Sequence, residues 1–156
     1  MSIVALTNFV TYSLPTGTVV YRFQNSKPEA NITHQGYSHS YMSFIYQGAA
    51  KSRSGDNIES SIVMANNPIS MNHAIDAVRM RWQVRVDTCI MNPTYFTVQK
   101  TLTTEYWIVA NMAYDPERIE VTLSSSIDAV GTAAPTRVLT RKMVGALPST
   151  AQIQNR

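Results

Sequence analysis

The sequence predicts a mainly β fold, a β-sandwich or small barrel with one short α-helix packed on the sheet and extended terminal arms. Three observations predict it. Apolar and polar residues alternate at period 2 in several separate stretches, as in half-buried strands. Turn formers such as Leu14-Pro15-Thr16-Gly17, Gln35-Gly36, Asn92-Pro93 and Asp115-Pro116 punctuate those stretches. Only one segment, residues 70–80, changes to the helical period. The clearest stretch is residues 105–124. There Tyr106, Ile108 and Ala110 alternate with Trp107, Val109 and Asn111, and Ile119, Val121 and Leu123 alternate with Glu120, Thr122 and Ser124. Two antiparallel strands joined by a short loop follow from that pattern. The first is apolar on both faces, which suits a central strand between two layers; the second has one wet face.

In chain order, residues 1–17 mix β-branched residues with turn formers and read as an N-terminal arm or an edge strand. Residues 18–24, TVVYRFQ, alternate Val19, Tyr21 and Phe23 against Thr18, Val20 and Arg22, a strand pattern. After a polar loop, residues 32–37 form a short strand running into a tight turn at Gln35-Gly36. Residues 41–46, YMSFIY, are again strand-like. Residues 47–57 carry Gly48 and Gly55 and read as an exposed, mobile loop. Residues 58–66 place Ile58, Ser60, Ile62 and Met64 on one face of a strand.

Ser70 then caps a helix in which Met71, Ala74, Ile75 and Val78 recur at helical spacing. A helix of about ten residues is marginal alone, so its stripe must lie on the sheet. Residues 82–91 return to strand, with Val84, Val86 and Thr88 opposite Gln83, Arg85 and Asp87, and residues 95–102 form another short strand. After Ser124 the period dissolves, apart from a stretch at residues 137–143 that could pair as an edge.

The expected organisation is therefore one core domain, residues 18–128, flanked by the N-terminal segment and an extended basic arm at residues 129–156. A chain of 156 residues with 44% hydrophobic residues can build one core. Its charged fraction is 15%, against roughly 25% in an average soluble protein. Low charge of this kind suits surfaces covered by other subunits, and suits a polar monomeric β-protein almost as well. The net charge of +3 is unevenly spread: residues 129–156 hold Arg137, Arg141, Lys142 and Arg156 and no acid, whereas residues 1–128 hold nine bases against ten acids. Those four bases are the candidate assembly contacts, able to meet an acidic subunit, a nucleic acid or a membrane surface. A solvated terminus is the plainer reading.

Cys89 is the only cysteine, so no intrachain disulfide can form and a thiolate zinc site is excluded. The start MSIVALTNFV has no basic region before a long apolar core, and no apolar run reaches membrane-spanning length. No export signal or membrane contact is expected.

Chemistry-bearing groups are sparse. His34 and His39 flank the proposed turn and could both approach a metal, but no third ligand stands at ligand spacing, so no metal is expected. His73 reads as an exposed polar position in the first helical turn. Asp115, Glu117 and Glu120 gather around a turn and a wet strand face, where turn formation explains Asp115. Cys89 reads as a buried packing residue in an apolar strand. No phosphate loop, GxSxG or HExxH occurs, so neither a catalytic residue nor a cofactor is expected. Tyr21, Phe23, Tyr37, Tyr41, Phe44 and Tyr46 cluster around Arg22. A small barrel binding single-stranded nucleic acid would use such residues, and the face they occupy decides the matter.

The order of motifs resembles the minor tail proteins of tailed bacteriophages, of the tail-tip or baseplate hub type, including the N-terminal domain of the lambda-type minor tail protein L. The residues that carry it are Ile32, Gly36 and Tyr41, then a strand ending Ala65-Asn66, then Val121, Leu123, Ser125 or Ser126 and Asp128, with Pro135 and Arg137 in the arm. The resemblance spans roughly residues 18–142. Two departures from the larger hub proteins are expected: no cysteine-rich C-terminal domain able to hold an iron–sulfur cluster, and no peptidase or lysin domain. The resemblance implies a non-enzymatic virion protein of the distal tail, assembled in the host cytoplasm and joining the tail tube to the tip complex. Its partners would be copies of itself, in a ring of three or six, and other tail or baseplate proteins. Ring subunits need two complementary flanks, and residues 2–17 and 129–156 are the expected arms.

Overall fold

The computed structural model describes residues 4–48 and 59–125. Nine strands and one helix follow in the order β1 (Ala5–Ser13), β2 (Val19–Gln24), β3 (Ile32–His34), β4 (Tyr37–Tyr41), β5 (Phe44–Gln47), β6 (Glu59–Ala65), α1 (Pro68–Arg79), β7 (Gln83–Asn92), β8 (Thr97–Tyr114) and β9 (Arg118–Ser124). The strands form one sheet in the order β3-β4-β2-β1-β7-β8-β9-β6-β5. Every neighbouring pair is antiparallel except β2 and β4. Among the described residues the fold is mainly β with a single helix, as the alternation predicts, and the sheet is open rather than closed into a barrel.

β8 organises the sheet. It pairs with β7 from Thr97 to Ile108 and with β9 from Ile108 to Tyr114, so the strand changes partners at Ile108. Two wings result: β3-β4-β2-β1-β7 with the first part of β8, and β9-β6-β5 with the second. Val10, Tyr12, Val84 and Val86 from one wing share a core with Ile62, Met64, Ile119, Val121 and Leu123 from the other. Trp107 and Val109 sit at the junction, and Ala74 and Ala77 bring α1 onto it. Each fully buried aliphatic or aromatic side chain contributes about 1.5–3 kcal/mol. Tyr46 ties the wings directly: its hydroxyl donates to Glu105 Oε2 and accepts from Trp107 Nε1 at 3.0 Å.

Several boundaries depart from the sequence pattern, each for a physical reason. Residues 5–13 are neither an arm nor an edge: β1 lies inside the sheet, paired with β2 on one side and β7 on the other. Its side chains serve both faces, Phe9 on the outer one and Val10 and Tyr12 in the main core. The expected strands at residues 95–102 and 105–114 are one strand, β8. Only one of its faces is covered, since Trp107 and Val109 are buried while Tyr106 is 70% exposed. The stretch 41–46 divides at Met42-Ser43, sending β4 and β5 to different wings.

The helix starts earlier than expected, and of the expected stripe Ala74, Met71 and Val78 meet the core while Ile75 does not. Asn67 is the N-cap, its Oδ1 accepting from Ser70 N–H at 2.9 Å, and Pro68 takes the first turn, where its missing N–H costs nothing. Ser70 is buried inside the helix instead of capping it. The inward stripe is Ser70, His73, Ala74 and Ala77, with Ile75 left 47% exposed. Two alanines permit the helix to approach β8 and β9 closely, which a stripe of larger side chains would prevent. The expected loop at residues 47–57 falls mostly outside the described residues, as do residues 129–156.

Candidate functional site

The outward face of β1, β2, β7 and β8 carries an open groove of about 460 Å³. Strand alternation places Thr11 and Ser13 of β1, Gln83 and Arg85 of β7 and Tyr106 of β8 along it. The β3–β4 hairpin forms one wall. Its two-residue turn has positive φ at both Gln35 (51°) and Gly36 (80°), the geometry that suits the right-handed twist of flanking strands. That turn holds Gln35 and Tyr37 over the groove.

Two arginine–tyrosine pairs line it. The Arg22 guanidinium lies 4.1 Å from the centre of the Tyr37 ring, and that of Arg85 lies 5.9 Å from the Tyr106 ring. Arg85 Nη2 also donates to Gln35 Oε1 at 2.8 Å, and its Nε donates to Asp87 Oδ1 at 3.2 Å. Asp87 is buried and fully engaged. His34 Nε2–H donates to its Oδ2 at 3.1 Å, Thr104 Oγ1 to its Oδ1 at 2.6 Å, and Arg85 Nη2 stands 3.2 Å from Oδ2. A buried carboxylate with this many donors is a locked anchor for the arginine above it. The groove therefore presents positive charge, flat ring faces and amide groups, a set suited to recognition.

The histidines come together as expected for His34 and His39, with ring centres 5.9 Å apart, and Phe9 stacks on His34 at 4.4 Å. Their nitrogens have other duties: His34 holds Asp87, and His39 Nδ1–H donates to the Tyr37 carbonyl at 3.1 Å. Burial lowers the His39 pKa, with the Tyr37 carbonyl opposing. Among the described residues, no group of three His, Cys, Asp or Glu could hold a metal ion.

His73 corrects its sequence reading. It is buried, caged by Tyr12 at 4.6 Å, Trp82 at 5.1 Å, Tyr21 at 5.2 Å and Phe23 at 5.3 Å between ring centres. Burial pulls its pKa down to about 4, with Asp76 opposing weakly. Of the expected stripe, Ala74 is buried and Met71 and Val78 pack against the core, but the buried face is centred on Ser70, His73 and Ala77, which the apolar period passed over.

Cys89 is buried, and burial pushes its thiol pKa up. Asp115 closes the β8–β9 turn, its Oδ1 accepting from the N–H groups of Glu117 and Arg118 at 2.8 Å, and those bonds lower its pKa. The aromatic cluster divides between faces: Phe44 is buried in the core, Tyr46 bridges the wings, and Tyr37 stands 56% exposed in the groove. Arg137, Arg141, Lys142 and Arg156 lie outside the described residues. Sequence reasoning missed Gln35, Arg85 and Tyr106 as groove residues. Alternation did place Arg85 and Asp87 opposite Val84 and Val86, but nothing local showed that the 32–41 hairpin covers that face.

No protein-family model matches the chain, and no curated protein does. Among solved structures, the fold is similar to a chain from "Virion of native gene transfer agent (GTA) particle", with a TM-score of 0.52 at 9% identity. The match covers 83% of this chain and 43% of that one. At this identity the likeness is one of fold, and the chain spans less than half the length of the one it matches.

Proposed function

We propose that this chain is a structural subunit of a phage-type virion, built into the distal tail or baseplate hub and joining the tail tube to the tip complex. The observation that carries the reading is the fold likeness to a virion chain over 83% of the sequence. The motif order across residues 18–142 points the same way independently. Partners are further copies of this chain and neighbouring tail proteins, with residues 129–156 contributing Arg137, Arg141, Lys142 and Arg156 to the contacts. The low charged fraction of 15% suits a subunit whose surface is largely covered after assembly. The role asks nothing catalytic of the chain.

The test is the solution mass of the purified chain, alone and mixed with the products of the neighbouring genes. A discrete ring, formed alone or only with a neighbour, is the expected result. A monomer that joins no neighbour contradicts it.

A second reading rests on the Arg22–Tyr37 and Arg85–Tyr106 pairs in the groove. Arginines beside exposed rings can hold single-stranded nucleic acid, with bases on the rings and phosphates on the guanidinium groups. Binding of an oligothymidylate that weakens steeply with salt and is lost in Arg22→Ala supports it; no binding at low salt removes it.

A further inference from the structure

The first part of β8, residues 97–107, is a strand with one side unused. β7 occupies one edge along its whole length, while β9 pairs only from Ile108 onward. Among the described residues, no strand pairs with the other edge of residues 97–107. Much of this part is exposed as well: residues 99–104 are all exposed, Leu102 at 46%, while Val98 packs against the cluster that holds Phe9 and Cys89, and Trp107 is buried. Natural sheets shield such edges with proline, short length or a covering element. Here the free edge runs for eleven residues without proline, interrupted by Lys100 and by irregular register at Gln99 and Leu102. An edge of this length with no partner strand among the described residues is a template for one more strand.

β9 does not continue along that edge. At Ser124 it is held by Glu59 of β6 on one side and Ile108 on the other. The β9-β6-β5 wing folds over the inner face of β8, where Tyr46 meets Glu105 and Trp107. A strand that fills the free edge must come from outside the wing. The sequence contains one segment of fitting pattern beyond Ser125. Residues 136–144, TRVLTRKMV, are rich in Thr, Val and other strand formers, and Pro135 and Gly145 bound them. Nine residues match an eleven-residue edge. Residues 126–135 between Ser125 and this segment span at most about 33 Å when extended, roughly the breadth of a domain. That reach suits a neighbouring copy.

We propose that residues 136–144 of a second copy of this chain add to the free edge of β8 as an extra strand. The inference rests on the assembly reading and names its contact: backbone hydrogen bonds along residues 97–107, with alternate side chains of the incoming strand beside Leu102 and Tyr106. Each copy then offers one edge and one strand, the head-to-tail arrangement from which rings close.

Site-directed cross-linking tests it in the full chain. In a Cys89→Ser background, one preparation carries Leu102→Cys and a second carries Leu139→Cys, and the two are mixed under mild oxidation. The expected result is a disulfide-linked dimer that needs both preparations, matched by loss of self-association in Leu139→Pro without a change in the melting midpoint. If a chain carrying both cysteines closes the bond within itself and the mixture yields no dimer, the occupant is the chain's own segment and the proposal is wrong. If neither bond forms while the mass measurement still shows a ring, the edge assignment fails and the assembly reading stands. If no ring forms with any neighbour, the assembly reading fails with it.

Discussion

The two parts of β8 have similar strand-forming composition and opposite surroundings. From Ile108 to Tyr114 the strand is paired with β9, this end of β8 lies against α1, and Trp107 and Val109 point into the core. From Thr97 to Tyr106 it is paired with β7 alone and is bare on most of its surface. Both parts hold β-branched or aromatic residues, but residues 97–106 are rich in Thr and carry Gln99, Lys100 and Glu105, whereas residues 107–114 are mostly apolar. What separates them is hydropathy together with the tertiary partner. Propensity makes each a strand; the wing formed by β9, β6 and β5 decides which one is interior. The covered part should thus govern folding, and the bare part should be spare for contact.

The largest expected effect lies in the covered part. Trp107→Ala removes a buried indole and its bond to Tyr46, and should destabilise the fold by about 3–5 kcal/mol in urea denaturation. A loss under 1 kcal/mol would mean that the junction at Ile108 is not the keystone described here.

His73 reports on the same covered side through pH. Its folded-state pKa of about 4 lies below the unfolded value, so the folded state disfavours the charged ring. The unfolded chain then binds more protons between about pH 6.5 and 4. Stability is complete above about pH 6.5 and falls as pH drops to about 4, by something on the order of 3 kcal/mol. His73→Phe should flatten that slope in melts across the window. An unchanged slope would assign it to other groups.

Smaller effects sharpen the contrast. Asn67→Ala removes the cap that holds α1 over the covered part and should cost about 1 kcal/mol. Leu102→Lys, in the bare part, should change folding stability by no more than about 0.5 kcal/mol and yet reduce self-association. A destabilisation comparable to that of Trp107→Ala would show that residues 97–106 are already covered in the isolated chain.

Much of this fold was legible in local pattern. The β8–β9 hairpin follows from alternation on either side of Asp115-Pro116, and the β3–β4 hairpin from Gln35-Gly36. The mainly β class with one helix follows from the single change of period. What pattern could not supply was partnership. Residues 1–17 read as an arm or an edge strand because their alternation is weak, and it is weak because β1 buries side chains on both faces. The helix stripe is legible at Met71, Ala74 and Val78 but goes astray at Ile75, whose hydropathy outweighs that of Ala77, whereas close packing favours the alanine. Asn67-Pro68 was the local signal for the true start. The groove was least legible of all, since Arg22, Gln35, Arg85 and Tyr106 come from four strands and turns that only the tertiary fold gathers.

Amide hydrogen exchange along β8, measured on the isolated chain and on the assembled species, tests the two-part account most directly. The account predicts slow exchange at residues 107–114 in both samples. At residues 97–106 it predicts rapid exchange of the amides facing away from β7 in the isolated chain, and protection of those same amides after assembly. Protection of residues 97–106 in the isolated chain, or no gain on assembly, would contradict it.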